Sequence, residues 1–299
     1  MVPPDSLRTA VGTWAAALPR DLPWRRTRDP WAVLVSETML QQTQVARVVP
    51  KYHAFLERFP AVSVCASAPL GDVVDAWAGL GYNRRAVLLH AAAASVAREH
   101  GGVFPDSLTE LLALPGVGPY TARAILAFAF ERDVAVLDSN VARVLARHGG
   151  CSLSARDAQA CADALVPAGR GWWWNQAMLD LGALVCTKRS PRCDRCPIHA
   201  TCAWRGDGPD PAIGSAGVPA PQSRFAGSDR QGRGRLVAAL RRSAVPETAL
   251  ASVMGWPDDR ARADRVARGV VADGLAVSFD GVYSLPRERA VDHGACVPH

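Results

Sequence analysis

An all-α fold is predicted for most of this chain by three observations. Apolar residues recur at helical spacing in one segment after another between residues 7 and 204, Pro and Gly punctuate those segments, and no run reads as a buried parallel sheet. In order, the spacing predicts helices over residues 33–49, 70–78, 84–98, 108–114, 120–130, 140–147, 157–165 and 176–185. The breaks fall at Pro60, Gly79-Leu80-Gly81, Gly101-Gly102, Pro115-Gly116 and Gly149-Gly150.

The pattern changes after residue 204. Residues 205–231 are rich in Gly, Pro, Asp, Ser and Ala, the composition of a flexible linker. Three further helices are predicted over residues 234–243, 247–254 and 258–273, followed by a β-hairpin in LAVSFDGVYSL with Asp280-Gly281 at the turn. Three helices and a hairpin describe a winged-helix-like module at residues 232–288, followed by a tail at 289–299. DNA binding and plain packing are both open to such a module.

Composition narrows the partners. The net charge is +6, and Lys51 and Lys188 are the only lysines, so the basic character is almost all Arg. A planar guanidinium donates two parallel hydrogen bonds and suits phosphates and base edges. The N-terminus lacks a charged-then-apolar leader and no apolar run has membrane-spanning length, so a cytoplasmic location is expected. Thiols stay reduced there, and eight cysteines point to metal or redox chemistry rather than disulfides.

Four of them, Cys186, Cys193, Cys196 and Cys202, follow C-x6-C-x2-C-x5-C. Four irregularly spaced thiolates in one loop suit a [4Fe–4S] cluster, with structural zinc the main alternative; two well-separated C-x2-C knuckles, the usual zinc pattern, are missing. Lys188, Arg189, Arg192, Arg195 and Arg205 share that loop, so a cluster there would brace a basic surface. Cys65, Cys151, Cys161 and Cys296 read as small buried hydrophobes or free thiols.

A second motif, LPGVGPYTA at residues 114–122, joins two amphipathic helices. Glycines let the turn approach another chain, and the following helix N-terminus offers N–H groups. Gly116, Val117 and Gly118 can therefore grip a DNA phosphate without reading sequence.

The hairpin, the cysteine spacing and the helix order resemble the endonuclease III superfamily of helix-hairpin-helix DNA glycosylases. Within it, SETMLQQTQV (36–45), GLGYNRRA (79–86), LPGVGPYTA and VLDSNVARVLAR (136–147) resemble the MutY-type adenine glycosylases. The resemblance covers residues 7–204. It implies a glycosylase domain over residues 1–204, with a six-helix barrel and hairpin at 24–133 and an iron–sulfur cluster domain from 1–23 and 134–204. It further implies a monomeric enzyme of base excision repair that removes adenine mispaired with 8-oxoguanine or guanine in double-stranded DNA. Removal of thymine, uracil or oxidised pyrimidines, and a non-catalytic redox-sensing role on DNA, are the competing readings.

Breaking an N-glycosidic bond builds positive charge on the sugar and negative charge on the departing base, which calls for an acid and an anion. Glu37 lies in an apolar helix start; by pattern it is either a solvated helix-face acid or, if buried, one whose proton is retained at neutral pH. Asp138 reads as a helix N-cap, where dipole and backbone donors favour the anion. The resemblance assigns proton delivery to adenine N7 and water activation to Glu37, and sugar stabilisation to Asp138. Asn140 matches a residue orienting sugar and water, or is a first-turn Asn bonding locally. Tyr120 stands where bifunctional relatives carry a Schiff-base lysine, which implies base removal with little or no strand cleavage.

The resemblance also places Gln42 and Tyr82 as wedges in the duplex, Thr43 and Leu80 around 8-oxoguanine, and Trp24, Arg25 and Gln176 at the adenine pocket. Trp172, Trp173 and Trp174 are expected mainly in the core. Two departures stand out: Asn83 replaces a second Tyr, and the family's common nucleotide-hydrolase-like C-terminal domain, with its Phe-Ser-His loop, is missing.

Overall fold

Among the described residues, six helices begin where a short polar side chain takes an unpaired backbone N–H. Asp29 accepts from Trp31 and Ala32, Ser107 from Glu110, Asp138 from Asn140 and Val141, Ser154 from Asp157, Ser228 from Gln231 and Asp259 from Arg262. The computed structural model describes residues 4–17, 20–218 and 224–287. Their helices are α1 (Pro4–Ala16), α2 (Pro30–Leu40), α3 (Val45–Arg58), α4 (Val62–Ser67), α5 (Leu70–Ala76), α6 (Arg84–Glu99), α7 (Leu108–Ala113), α8 (Pro119–Phe128), α9 (Ser139–Gly149), α10 (Ala155–Leu165), α11 (Gly171–Asp180), α12 (Asp229–Leu240), α13 (Leu250–Met254) and α14 (Arg260–Ala272). The all-α expectation holds. The expected tail and Cys296 lie outside the described residues.

The chain forms two compact units. The first comprises Met1–Leu34, Asp106–Ala113 and Val117–Gln222. Its core joins Leu7 and Val11 of α1, Val141, Val144 and Leu145 of α9, Ala162 of α10, and Trp174, Ala177 and Met178 of α11. After α11 the chain makes one π-turn, Leu181–Val185. Part of the expected linker is fastened to this unit. The Ala216 N–H donates to the Leu153 carbonyl, the Ser215 hydroxyl accepts from the Leu153 N–H, and Ala212 is 2% exposed. Composition suggested a free coil because it does not show that Asp210 has an arginine to bind.

The second unit comprises Val35–Pro105, Leu114–Gly116 and Ser223–His299. Phe55 meets Trp77 edge-on with ring centroids 5.9 Å apart, and Leu89, Ala93 and Val96 of α6 are buried. Cys65 is buried too, and burial pushes its thiol up to about 12, so it packs as an apolar group. The winged-helix reading holds: α12, α13 and α14 pack together, with β1 (Val245–Pro246), β2 (Val277–Phe279) and β3 (Val282–Ser284) in antiparallel order β1-β3-β2. β1 escaped the sequence reading because two residues show no alternation. The module joins the rest of its unit through Gly71 N–H to Pro286 carbonyl (2.7 Å) and Arg241 Nη2 to Val74 carbonyl (2.9 Å).

The helix expected over residues 33–49 is two helices, because the chain turns at residues 41–44 with Gln42 at φ 55°. α7 and α8 fall in the first unit, and residues 224–287 fall in the second.

Gly116 adopts φ +74°, and a Cβ there would stand 2.7 Å from Leu88 Cβ; around Gly118 nothing lies within 4 Å. Gly116→Ala is expected to cost about 1–3 kcal/mol from left-handed strain and overpacking. Gly118→Ala should cost less than about 1 kcal/mol as a weaker N-cap. Urea midpoints at unchanged slope test the contrast.

Candidate active site

Asp138 ends an extended run and caps α9. Its Oδ1 accepts from the N–H groups of Asn140 (2.8 Å) and Val141 (2.7 Å), and its Oδ2 from Asn140 Nδ2 (2.7 Å). Asn140 Oδ1 accepts in turn from Arg143 Nη2 at 2.8 Å. Arg143 is 5% exposed and also donates to the carbonyls of Cys186 (2.8 Å) and Gly182 (2.7 Å). One turn on, Arg147 forms a fork on the Asp210 carboxylate (3.0 and 2.6 Å) and donates to Cys186 Sγ (3.4 Å) and the Thr187 carbonyl (2.8 Å). One helix thus carries the carboxylate at its N-terminus and ties it, through spacings of three and four residues, to the loop of the first expected cysteine ligand. Gly182 makes room for this: a Cβ on it would fall 2.6 Å from Asn140 Cβ.

The electrostatics of Asp138 differ from the expectation. Burial raises its pKa above the ordinary 3.8, against the lowering pull of the Val141 and Asn140 donors and of Arg143. A helix N-terminus favours the anion, but the surrounding protein strips water from it, and desolvation is the larger effect.

Cys186, Cys193, Cys196 and Cys202 line one open cavity, together with Val144, Arg147 and Ile198. Burial, followed by the neighbouring thiols, pushes Cys196 up to about 11 and Cys193 upward as well. Four soft donors facing one cavity fit a multi-iron cluster, although among the described residues no three potential ligands are drawn in around a single point. Lys188, Arg189, Arg192, Arg195 and Arg205 are exposed around it. Cys151 and Cys161 are exposed free thiols.

The expected adenine-pocket residues are also in the first unit. Trp24 is buried, and Gln176 is half-buried on α11. Arg25 is committed to Asp180 by two bonds of 2.8 Å, and its buried Nε has no hydrogen-bond partner. Trp174 is core; Trp172 and Trp173 are half-buried under Arg28 (4.3 Å) and Arg170 (5.5 Å). Tyr120 is half-buried in the first turn of α8, following the buried Val117 and the exposed Gly118.

The second unit holds Glu37 and the expected wedge. Glu37 is 5% exposed on α2 between Ser36 (1%) and Thr38 (7%), so it is not a solvated helix-face acid. Gln42 and Tyr82 are exposed at the tips of two turns, both with positive φ (55° and 46°). Leu80 is 3% exposed, so its turn presents Tyr82 rather than Leu80. Sequence reasoning missed the residue that holds both turns. Arg85 Nη1 donates to the carbonyls of Thr38 (2.7 Å), Met39 (2.9 Å) and Gln41 (2.6 Å). Its Nη2 donates to Thr43 Oγ1 (3.1 Å) and the carbonyls of Leu80 (3.2 Å) and Gly81 (3.1 Å). Burial lowers its pKa to about 10, so it stays charged. The available signal was an arginine opening an otherwise apolar helix.

Arg85→Met is expected to cost about 3 kcal/mol or more, because several buried carbonyls lose their donor at once. Arg85→Lys should recover only part of this, since an ammonium lacks the fork. Chemical denaturation measures both.

Residues 35–167 match the family model of the HhH-GPD superfamily base excision DNA repair proteins. The adenine DNA glycosylase of Mycobacterium tuberculosis (strain CDC 1551 / Oshkosh) is 43% identical over 94% of this chain and 93% of its own length. Among solved structures, a thermostable thymine-DNA glycosylase overlays 68% of this chain and 96% of its own at TM-score 0.65 and 29% identity. An endonuclease III–DNA complex at 23% identity shares the fold, with TM-score 0.61 over 69% of this chain and 98% of its own. The chain belongs to the adenine DNA glycosylases of the HhH-GPD superfamily of base excision repair proteins.

Proposed function

We propose that this glycosylase releases adenine paired with 8-oxoguanine or guanine in duplex DNA, using Glu37 as acid and Asp138 as anion. The observation that carries the reading is the cradle of Asp138, whose two oxygens take three hydrogen bonds of 2.7–2.8 Å from one helix terminus. Charge held in place before the reaction stabilises an oxocarbenium-like sugar without reorganisation. Glu37 delivers a proton to adenine N7 and then activates water, while Asn140 holds Asp138 and water. Extruding adenine costs a few kcal/mol of stacking and pairing. Gln42 and Tyr82 fill the gap, with Thr43 and Leu80 beside the orphan purine. Trp24, Arg25 and Gln176 receive the adenine, and Gly116, Val117 and Gly118 hold a phosphate. With Tyr120 in place of an amine, that position forms no imine, and strand cleavage is expected to be weak or absent.

We assign a [4Fe–4S] cluster to Cys186, Cys193, Cys196 and Cys202. It supplies structural bracing to the basic loop, and no step of base release passes through it.

Asp138→Asn and Glu37→Gln are expected to keep duplex affinity and to lose single-turnover adenine release by at least about 100-fold each. Unchanged release from either variant rejects its role. Asp138 must be ionised, and its pKa is raised. Release by the natural protein should therefore fall off, as the pH drops, at a pH above the ordinary 3.8. Asn140→Ala removes a lowering bond and should move that limb to higher pH. Duplexes bearing 8-oxoguanine:A, G:A, G:T, G:U or thymine glycol separate this reading from the pyrimidine-removing one suggested by the thymine-DNA glycosylase likeness.

Iron analysis of the purified protein tests the cluster. Stoichiometric iron with broad visible absorption is expected, lost in Cys196→Ser; zinc in its place overturns the assignment.

A further inference from the structure

The turn between α5 and α6 is bent against local preference. Gly79, Gly81 and Tyr82 lie in the left-handed region at φ 86°, 70° and 46°. A tyrosine holds that conformation only where its surroundings impose it. Arg85 grips the turn from its own helix, and the C-terminal module supplies further contacts.

Those contacts fall on both helices that the turn joins. On α5, the Gly71 N–H donates to the Pro286 carbonyl (2.7 Å), and the Val74 carbonyl accepts from Arg241 Nη2 (2.9 Å). On α6, Arg84 pairs with Asp273 (3.4 Å), and a Cβ on Gly274 would stand 3.3 Å from Val87 Cγ1. Arg241, directly after α12, closes the span. The same Nη2 donates to Asn83 Oδ1 at 3.2 Å, and Asn83, between Tyr82 and α6, is 9% exposed. One guanidinium nitrogen thus ties α5, before the turn, to the residue that follows Tyr82. The short amide of Asn83 sets its acceptor close to the backbone, where a tyrosine at this position would offer none.

We propose that the C-terminal module buttresses the Tyr82 turn, with Arg241 a positioning residue that fixes Tyr82 through Asn83. Its effect on the reaction is on extrusion of the adenine, which rests on the reading of Tyr82 as a wedge given above. The task requires no contact between the module and DNA. A strained turn clamped from both of its flanking helices keeps its tip in one place before the duplex arrives, and that is what a wedge needs.

The test uses the full chain, in the natural form and as Arg241→Met, Asn83→Ala, Asn83→Asp, Arg241→Met with Asn83→Ala, and Tyr82→Ala. Hydrogen exchange read by mass spectrometry compares the turn, residues 77–83, with α3, which carries none of these contacts. Arg241→Met should speed exchange in the turn about tenfold and leave α3 within about twofold of natural. Asn83→Ala should give part of that effect, and Asn83→Asp, which keeps an acceptor, should give none. The combined variant should exchange no faster than Arg241→Met alone, because the two residues share one interaction. Extrusion is read with a 2-aminopurine beside a non-hydrolysable 2′-fluoro-adenosine opposite 8-oxoguanine, since the probe brightens as its neighbour leaves the stack. Arg241→Met should slow that rise about fivefold, with affinity for a fully paired duplex within about twofold of natural. Unchanged exchange in the turn, or exchange raised equally in α3, overturns the proposal. So does a loosened turn with an unaltered fluorescence rise when Tyr82→Ala slows it. Should Tyr82→Ala leave the rise untouched, the wedge reading fails, and the exchange data still decide whether Arg241 braces the turn.

Discussion

Carbonyl groups left over where helices end must find donors, and in this protein buried guanidinium groups supply them. An α-helix leaves its last four carbonyls without intrahelical partners, and a buried carbonyl without a donor costs roughly 1–3 kcal/mol. Arg85 takes the end of α2 and the turn before α6 in one fork; Arg143 and Arg147 take the carbonyls of Gly182, Cys186, Thr187 and Lys188. Each of these segments carries an expected functional group. The positions of Gln42, Tyr82 and Cys186 therefore depend on arginines that are themselves buried.

The same constraint shapes the carboxylate at position 138. A cap oxygen at a helix start ordinarily gains from two backbone donors and the dipole, each of them worth on the order of 1 kcal/mol. Asp138 has both, a side-chain amide and a nearby guanidinium, and its pKa is still raised. Removing water from a charge outweighs several such contacts. An anion held under that tension interacts strongly with a positive sugar, because the water that would screen it has been replaced by fixed dipoles.

Much of this was legible in the residues. From α5 onward most helix positions followed apolar spacing to within a few residues, whereas α1, most of α3 and α4 were not marked out by it, and the cysteine spacing picked out four thiols that share a cavity. Glu37 was ambiguous by pattern, since a single acid in an apolar run is compatible with either face; packing decided it. What stayed hidden had a common cause. The end of α2 at Leu40 depends on Arg85, more than 40 residues away in sequence, and the tethering of residues 210–218 depends on Arg147 and Leu153. Local propensity carries no record of such partners.

The near absence of lysine fits this picture. A lysine at position 85 or 147 would bring three donors from one point, whereas a planar fork reaches two sets of acceptors on opposite sides. Arg85 divides its donors between residues 38–41 on one nitrogen and residues 43, 80 and 81 on the other, and Arg147 divides its own between Asp210 and the cysteine loop. A guanidinium also stays charged when burial lowers its pKa, as Arg85 does at about 10, where a buried ammonium starting near 10.4 would approach neutrality. The abundance of arginine is therefore as much a property of how the loops are held as of the phosphates they meet.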